Sequence, residues 1–234
     1  NVAEREADFY IKYLYEFKLF GQNFYLTTTH VCLLIVDIVI VILALLVRKK
    51  VMAHKPGETP GMLQNIFEMV VEFVDNMVKG IMGANAPRFR NYIGTILLFV
   101  LICNISGIFG LRPPTADYSI TFPLGIMTFL MINYCGFKKN KIGHITELFK
   151  PTPILFPINL IGELAVPLSL SLRLFGNVLS GTVMMGLIYG LLSPPITTGI
   201  PAFLHIYFDL FSGVIQAYVF SMLTMVYISN KIAD

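Results

Sequence analysis

The chain has 234 residues, of which 56% are hydrophobic and only 13% charged, and its mean hydropathy is +0.72. Too few polar groups remain to cover a soluble globule of this size, so the composition is that of a polytopic membrane protein. The net charge of +3 is small and the basic residues gather at the ends of apolar runs, which excludes a nucleic-acid surface and favours a bilayer.

In chain order, residues 1–25 are mixed and charged and are expected to form an extracytoplasmic N-terminal segment. No signal-peptide pattern opens the chain, and the missing initiator methionine points to processing or to an incomplete chain. Hydropathy predicts a first span over about Leu26 to Val47, closed by Arg48, Lys49 and Lys50. The breakers of "KPGETPG" follow. Next, "MLQNIFEMVVEFVDNMVKGIM" places Phe67, Val70, Val71, Val74 and Met77 on one face, with Glu68, Glu72, Asp75 and Lys79 elsewhere. Such a helix is expected to lie along the membrane surface or against a partner, not to span.

A second span is predicted from about Tyr92 to Leu111, ended by the two prolines of "RPPTAD", where Asp117 belongs to an exterior turn. The third runs from Tyr118 to Phe137 and stops at "KKNKIGH"; an interfacial stretch, "ITELFKPTPILFP", comes after it. Two long apolar blocks complete the chain, Ile158 to Leu192 and Ala202 to Ile228, separated by "SPPITTGIP". Both exceed one perpendicular crossing, which implies tilt or a bent path. The expected fold is all-α with five crossings. Residues 26–150 would form peripheral helices with the interfacial helix, and residues 151–234 a long tilted hairpin. Arg48, Lys49, Lys50, Lys55, Lys79, Arg88 and Arg90 share a side with Lys138, Lys139, Lys141 and Lys150. The positive-inside rule makes that side cytoplasmic, with the N-terminus outside and the C-terminus inside.

The sharpest feature is "SLRLFGNVLS", which puts Arg173 among leucines. On a helical wheel Ser169, Arg173, Gly176, Asn177, Ser180 and Met184 form a small, polar stripe. Two readings stand side by side. Arg173 pairs with Glu163 or Asp209 of the same chain, or the stripe is a docking face on which it meets a carboxylate that comes and goes. In the last block Asp209, Ser212, Gly213 and Gln216 form a matching seam, and Asn159 and Glu163 stand one turn apart near the cytoplasmic start of the long block. Asp37, midway along the first span, faces a neighbouring helix, snorkels, or walls an outer access path. Cys32, Cys103 and Cys135 lack ligand spacing, as do His30, His54, His144 and His205, so no metal site is expected.

"PLSLSLRLFGNVLSG", the Pro-rich break and "IQAYVFSMLTMVYIS" resemble subunit a of the bacterial F-type ATP synthase, as do "PPTADYSIT" and "GFKKNKIGHITELFKP". The resemblance implies an ion-translocating stator subunit of the rotary complex, whose two long helices face the c-ring. It assigns Arg173 as the essential stator arginine, Asn177 as the polar residue one turn on, and Gln216 as the glutamine near that arginine. Thr182 stands where many members have a glutamate, and Asp209 where some have a histidine. The ion path is therefore expected to use Asp209, Glu163, Thr182, Ser180, Ser212 and Asn159. Implied partners are the c-ring, the subunit b stalk, the F1 head indirectly, the lipid bilayer, and H+ or Na+.

No nucleotide-binding motif is present, so the chain is not expected to be an enzyme on its own or to hold a cofactor. The implied location is the bacterial plasma membrane. The alternatives are a stand-alone ion-coupled secondary transporter, which calls for inverted repeats absent from the sequence, and a structural anchor, which leaves the Arg173 stripe unexplained.

Overall fold

The computed structural model describes residues 13–19, 22–53, 61–109, 111–141, 143, 146, 149, 152–191, 204 and 206–232. A bilayer offers the backbone no water, so each spanning segment must satisfy its own N–H and C=O groups by coiling into a helix. Five helical stretches are long and apolar enough to cross: Thr28–Met52, Gln64–Phe109, Tyr118–Asn140, Phe156–Ile188 and Ile206–Ile232. They match the five crossings expected from hydropathy. The interfacial stretch after Lys141 lies largely outside the described residues, as do the "SPPITTGIP" break, Lys55, Lys150, His54, His144 and His205.

An antiparallel hairpin, β1 (Tyr13–Leu19) and β2 (Gln22–Thr27), precedes the helices. Hydropathy gave residues 1–25 no secondary structure, although YLYEFKL and QNFYLT carry the aromatic and alternating polar residues that favour strands. Strand β2 takes in Leu26, so helix α1 (Thr28–Ala53) begins later than expected. It rests on the rest of the chain through Thr29, Cys32 and Val36, while most of its outer residues stay exposed.

Helix α2 (Met62–Met82) turns into α3 (Ala86–Ile105) at Gly83, whose φ of 52° suits glycine and ends the helix abruptly. Asp75 accepts from Arg90 across this corner at 3.3 Å and binds Lys79 at 2.6 Å. The face that α2 buries carries Val74, Val78 and Met82, with Phe67, Val70 and Met77 half-buried. Val71, expected on that face, is exposed, because the contact stripe follows the helix at 3.6 residues per turn toward Val78 and Met82. The amphipathic helix therefore lies against its own chain.

Helix α4 (Tyr118–Asn140) is capped by Asp117, which accepts from the Ser119 backbone N at 3.0 Å and from its hydroxyl at 2.6 Å. Helix α5 (Phe156–Leu191) has 36 residues, a length of about 54 Å against a hydrocarbon core of roughly 30 Å, long enough to cross with tilt or along a bent path. Helix α6 (Ser212–Ile232) follows a π-helical turn, Ile206–Phe211.

One continuous core joins α2 to α6 through Val78, Ile93, Val100, Ile132, Leu170, Leu174, Phe220, Met225 and Ile228. In lipid these side chains gain no hydrophobic energy from leaving water, so close packing and small residues must hold them together. Among the described glycines the tightest approach joins α4 to α5 at Gly125, where a Cβ would stand 2.6 Å from the Pro167 carbonyl oxygen and 3.3 Å from Ser171 Cβ.

Because the obstructing atom belongs to the backbone, Gly125→Ala is expected to cost about 1–3 kcal/mol, whereas Gly162→Ala, with nothing within 4 Å of the added methyl, should cost nothing. Thermal unfolding midpoints of the two purified variants would show the difference.

Candidate functional site

The polar residues of the last two helices meet because α5 and α6 run antiparallel in a fixed register. At the outer end Gly181 packs against the Phe208 side chain. One turn inward, Asn177 Nδ2 donates to Ser212 Oγ at 2.8 Å, and the Ser212 hydroxyl lies 3.0 Å from Asn177 Oδ1 in hydrogen-bond geometry. A further turn in the same direction on each helix sets Arg173 level with Gln216.

At that level the two side chains differ in exposure. Gln216 is 7% exposed, and its Nε2 donor is enclosed without a partner among the described residues. Arg173 is exposed, with no hydrogen-bond or ion-pair partner among the described residues. The pairing of Arg173 with Glu163 or Asp209 is thus not the arrangement found. Glu163 instead binds Lys231, Nζ to Oε1 at 2.6 Å.

The stripe expected on α5 forms its open edge. Ser169, Arg173, Ser180 and Met184 are exposed and Gly176 and Asn177 half-buried, while Leu170, Ser171, Leu174 and Met185 turn into the protein. Ser180 donates to Asn177 O and Thr182 to Val178 O, both at 2.9 Å, so the two exposed hydroxyls are satisfied by their own helix. Asn159 is half-buried one turn before Glu163.

Asp209 falls on the π-helical turn, where the wider winding changes its angular phase relative to Ser212. Its carboxyl group lies against Gly107: a Cβ there would stand 3.5 Å from Asp209 Cγ and 3.1 Å from Pro113 Cγ. Glycine leaves that carboxylate room. Asp37 is exposed on α1, within electrostatic reach of Cys103.

Behind this face stands a buried polar joint that hydropathy does not reveal. Asn104, 3% exposed, donates from Nδ2 to Gly213 O at 3.1 Å and accepts at Oδ1 from the Thr115 hydroxyl at 2.8 Å. Gly213 is required there, since a Cβ would lie 3.0 Å from Asn104 Cβ. The signal lay in "LICNISG", an amide inside an apolar span, which must find partners when buried.

Sequence comparison finds related proteins. The family model described as ATP synthase A chain matches residues 29–229. The chain is 41% identical over 192 residues to the protein named ATP synthase subunit a, sodium ion specific, of Propionigenium modestum, a match covering 75% of this chain and 65% of that protein. It is 37% identical to ATP synthase subunit a of Acidothermus cellulolyticus, covering 72% of this chain and 64% of the relative. With the Lysinibacillus sphaericus subunit a the identity is 34%, over 87% of this chain and 91% of the relative. The matched region thus spans just under two thirds of the length of the first two relatives.

The reciprocal bond between Asn177 and Ser212 yields a direct test of the register. Asn177→Ala and Ser212→Ala should each destabilise by about 1 kcal/mol, and the double variant by clearly less than their sum. Thermal unfolding of all four forms would reveal that coupling.

Proposed function

The chain belongs to the ATP synthase A chain family, and on that premise we propose that it is the ion-translocating stator subunit of a rotary F1Fo ATP synthase. The observation that carries the proposal is an exposed guanidinium, Arg173, level with the buried amide of Gln216 on two long antiparallel helices. In this reading residues 151–234 carry the ion path and residues 26–150 support it. The subunit lies in a bacterial plasma membrane with its C-terminus in the cytoplasm, consistent with the basic residues between α1 and α3 and after α4. Its partners are the c-ring, the subunit b stalk and, through them, the F1 head, where ATP is made.

Each rotor subunit presents a carboxylate that is loaded from one aqueous half-channel, carried round in lipid as a neutral group, and emptied into the other. Arg173 stands between the half-channels. A guanidinium suits that place because it keeps its proton where a lysine would yield it. Its charge favours the emptied, anionic carboxylate as that group passes, and it repels a cation attempting to cross directly between the inlets. Gln216 and Asn177 hold the cation's surroundings. Asp209, with Ser212, Ser180 and Thr182 nearby along the crevice, serves the outer half-channel, in keeping with its half-buried carboxyl beside Gly107. Asn159 serves the inner mouth.

The coupling ion is H+ or Na+, the latter suggested by the name of the Propionigenium relative. Ligands around the rotor carboxylate would make the choice. The sequence offers no inverted repeat to favour a stand-alone transporter, and an anchor protein would have no use for Arg173.

Vesicles carrying the assembled complex with Arg173→Gln should lose ATP synthesis driven by an imposed gradient. Synthesis at the parent rate would overturn the proposal. With the parent complex, stimulation of ATP hydrolysis by added Na+ assigns Na+ as the coupling ion, and its absence assigns H+.

A further inference from the structure

We propose that Glu163 is a positioning residue whose ion pair with Lys231 holds the inner ends of α5 and α6 in register, and that it does not carry the transported ion. The inference rests on the reading of the α5 and α6 crevice as the place of translocation. Glu163 and Lys231 are only 23% and 25% exposed, and their charged atoms stand 2.6 Å apart. The pair is one of three ties on the last turn of α6. Lys139 Nζ donates to Ile232 O at 3.3 Å, and the Ser229 hydroxyl donates to Ile81 O at 3.4 Å. Helices α4, α2 and α5 therefore all grip the same end of α6.

The register shows what the grip fixes. Helical side chains lean toward the N-terminus, so the Lys231 ammonium lies over the turn before it, the turn that faces Glu163 in the antiparallel alignment set by Asn177 and Ser212. The Asn177 and Ser212 bond is thus an outer rung and the Glu163 and Lys231 pair an inner rung, with Arg173 and Gln216 between them. Elsewhere α5 packs mainly on α4 and meets α6 sparsely, so the rungs set the separation of the two helices at Arg173.

The same pairing argues against an ion-carrying role. A carboxylate that picks up and releases a cation must spend part of each cycle neutralised, which would leave the half-buried Lys231 ammonium without its counter-charge, an unfavourable state. A static clamp avoids that state at every turnover.

The test uses the whole complex in sealed vesicles, measuring passive H+ or Na+ leak and ATP-driven pumping. Glu163→Gln and Lys231→Met should each raise the leak several-fold and lower pumping. A Glu163→Cys and Lys231→Cys pair should leak equally until bridged by a short bifunctional thiosulfonate. Bridging should restore tightness and pumping, a reductant should reverse both, and a monofunctional reagent should do neither. Pumping that stays as low after bridging as in Glu163→Gln would show that the carboxylate itself is needed and would overturn the proposal. Should the cysteine pair not assemble, Glu163→Gln with Lys231→Met takes its place. A leak no greater than that of either single variant supports the clamp, because both changes remove the same pair, and a leak equal to the sum of the two overturns it. Arg173→Gln run in parallel separates the two levels, since coupled synthesis in that variant would defeat the translocation reading itself.

Discussion

A permanent cation on the membrane-embedded face of a protein, left without an acid of its own, is the constraint to which the rest of this structure answers. Arg173 is exposed and unpaired among the described residues, although a charge at mid-bilayer costs several kcal/mol and is normally met by protein or water. The two acids within reach by sequence lie elsewhere. Glu163 is bound to Lys231, and Asp209 lies beside Gly107 and Pro113. Had either closed on Arg173, the site would be a static ion pair with nothing to offer a passing carboxylate.

The supporting scaffold follows from the solvent. Lipid provides no hydrophobic drive between helices, so association depends on close backbone approach and on polar groups that would otherwise be orphaned. Both devices appear where the site needs them. Gly125 lets α4 lie directly on the Pro167 carbonyl, which sets the buried side of α5 and turns Arg173 outward. Gly213 lets Asn104 reach the α6 backbone, and Thr115 completes that amide's bonds. The α5 and α6 pair, with less packing between its helices, is held by side-chain rungs.

Much of this was legible in the sequence. Five apolar runs of spanning length gave the crossings, and the basic clusters gave an expected orientation. Arg173 stood out because a guanidinium among leucines has no cheap explanation. What escaped the sequence was whatever depends on a partner distant along the chain. Neither Asn104 nor Lys231 is singled out by the sequence, and only the fold brings them their partners, Gly213 and Thr115 for the one and Glu163 for the other. The π-helical turn was invisible for another reason. A wheel drawn at a constant angle cannot register an extra residue in one turn, so the phase of Asp209 relative to Ser212 was drawn as that of an α-helix. The hairpin before α1 was lost because a scale of transfer energies reports no strand pairing.

In the rotary mechanism proposed above, the strength of the interaction between Arg173 and a rotor carboxylate is bounded from both sides. A membrane potential of 100 mV supplies about 2.3 kcal/mol for each charge moved. A guanidinium and a carboxylate 4 Å apart attract by about 4 kcal/mol at an effective dielectric near 20 and by about 1 kcal/mol in bulk water. In the drier case the rotor would stay bound to the stator, since the driving force would not release it. At the aqueous limit little attraction would remain to favour unloading. The operating point must lie between, which requires a crevice that admits water without filling with it. Ser180, exposed two turns along the same face as Arg173 with its hydroxyl already bound to its own backbone, can border such water without competing for the cation.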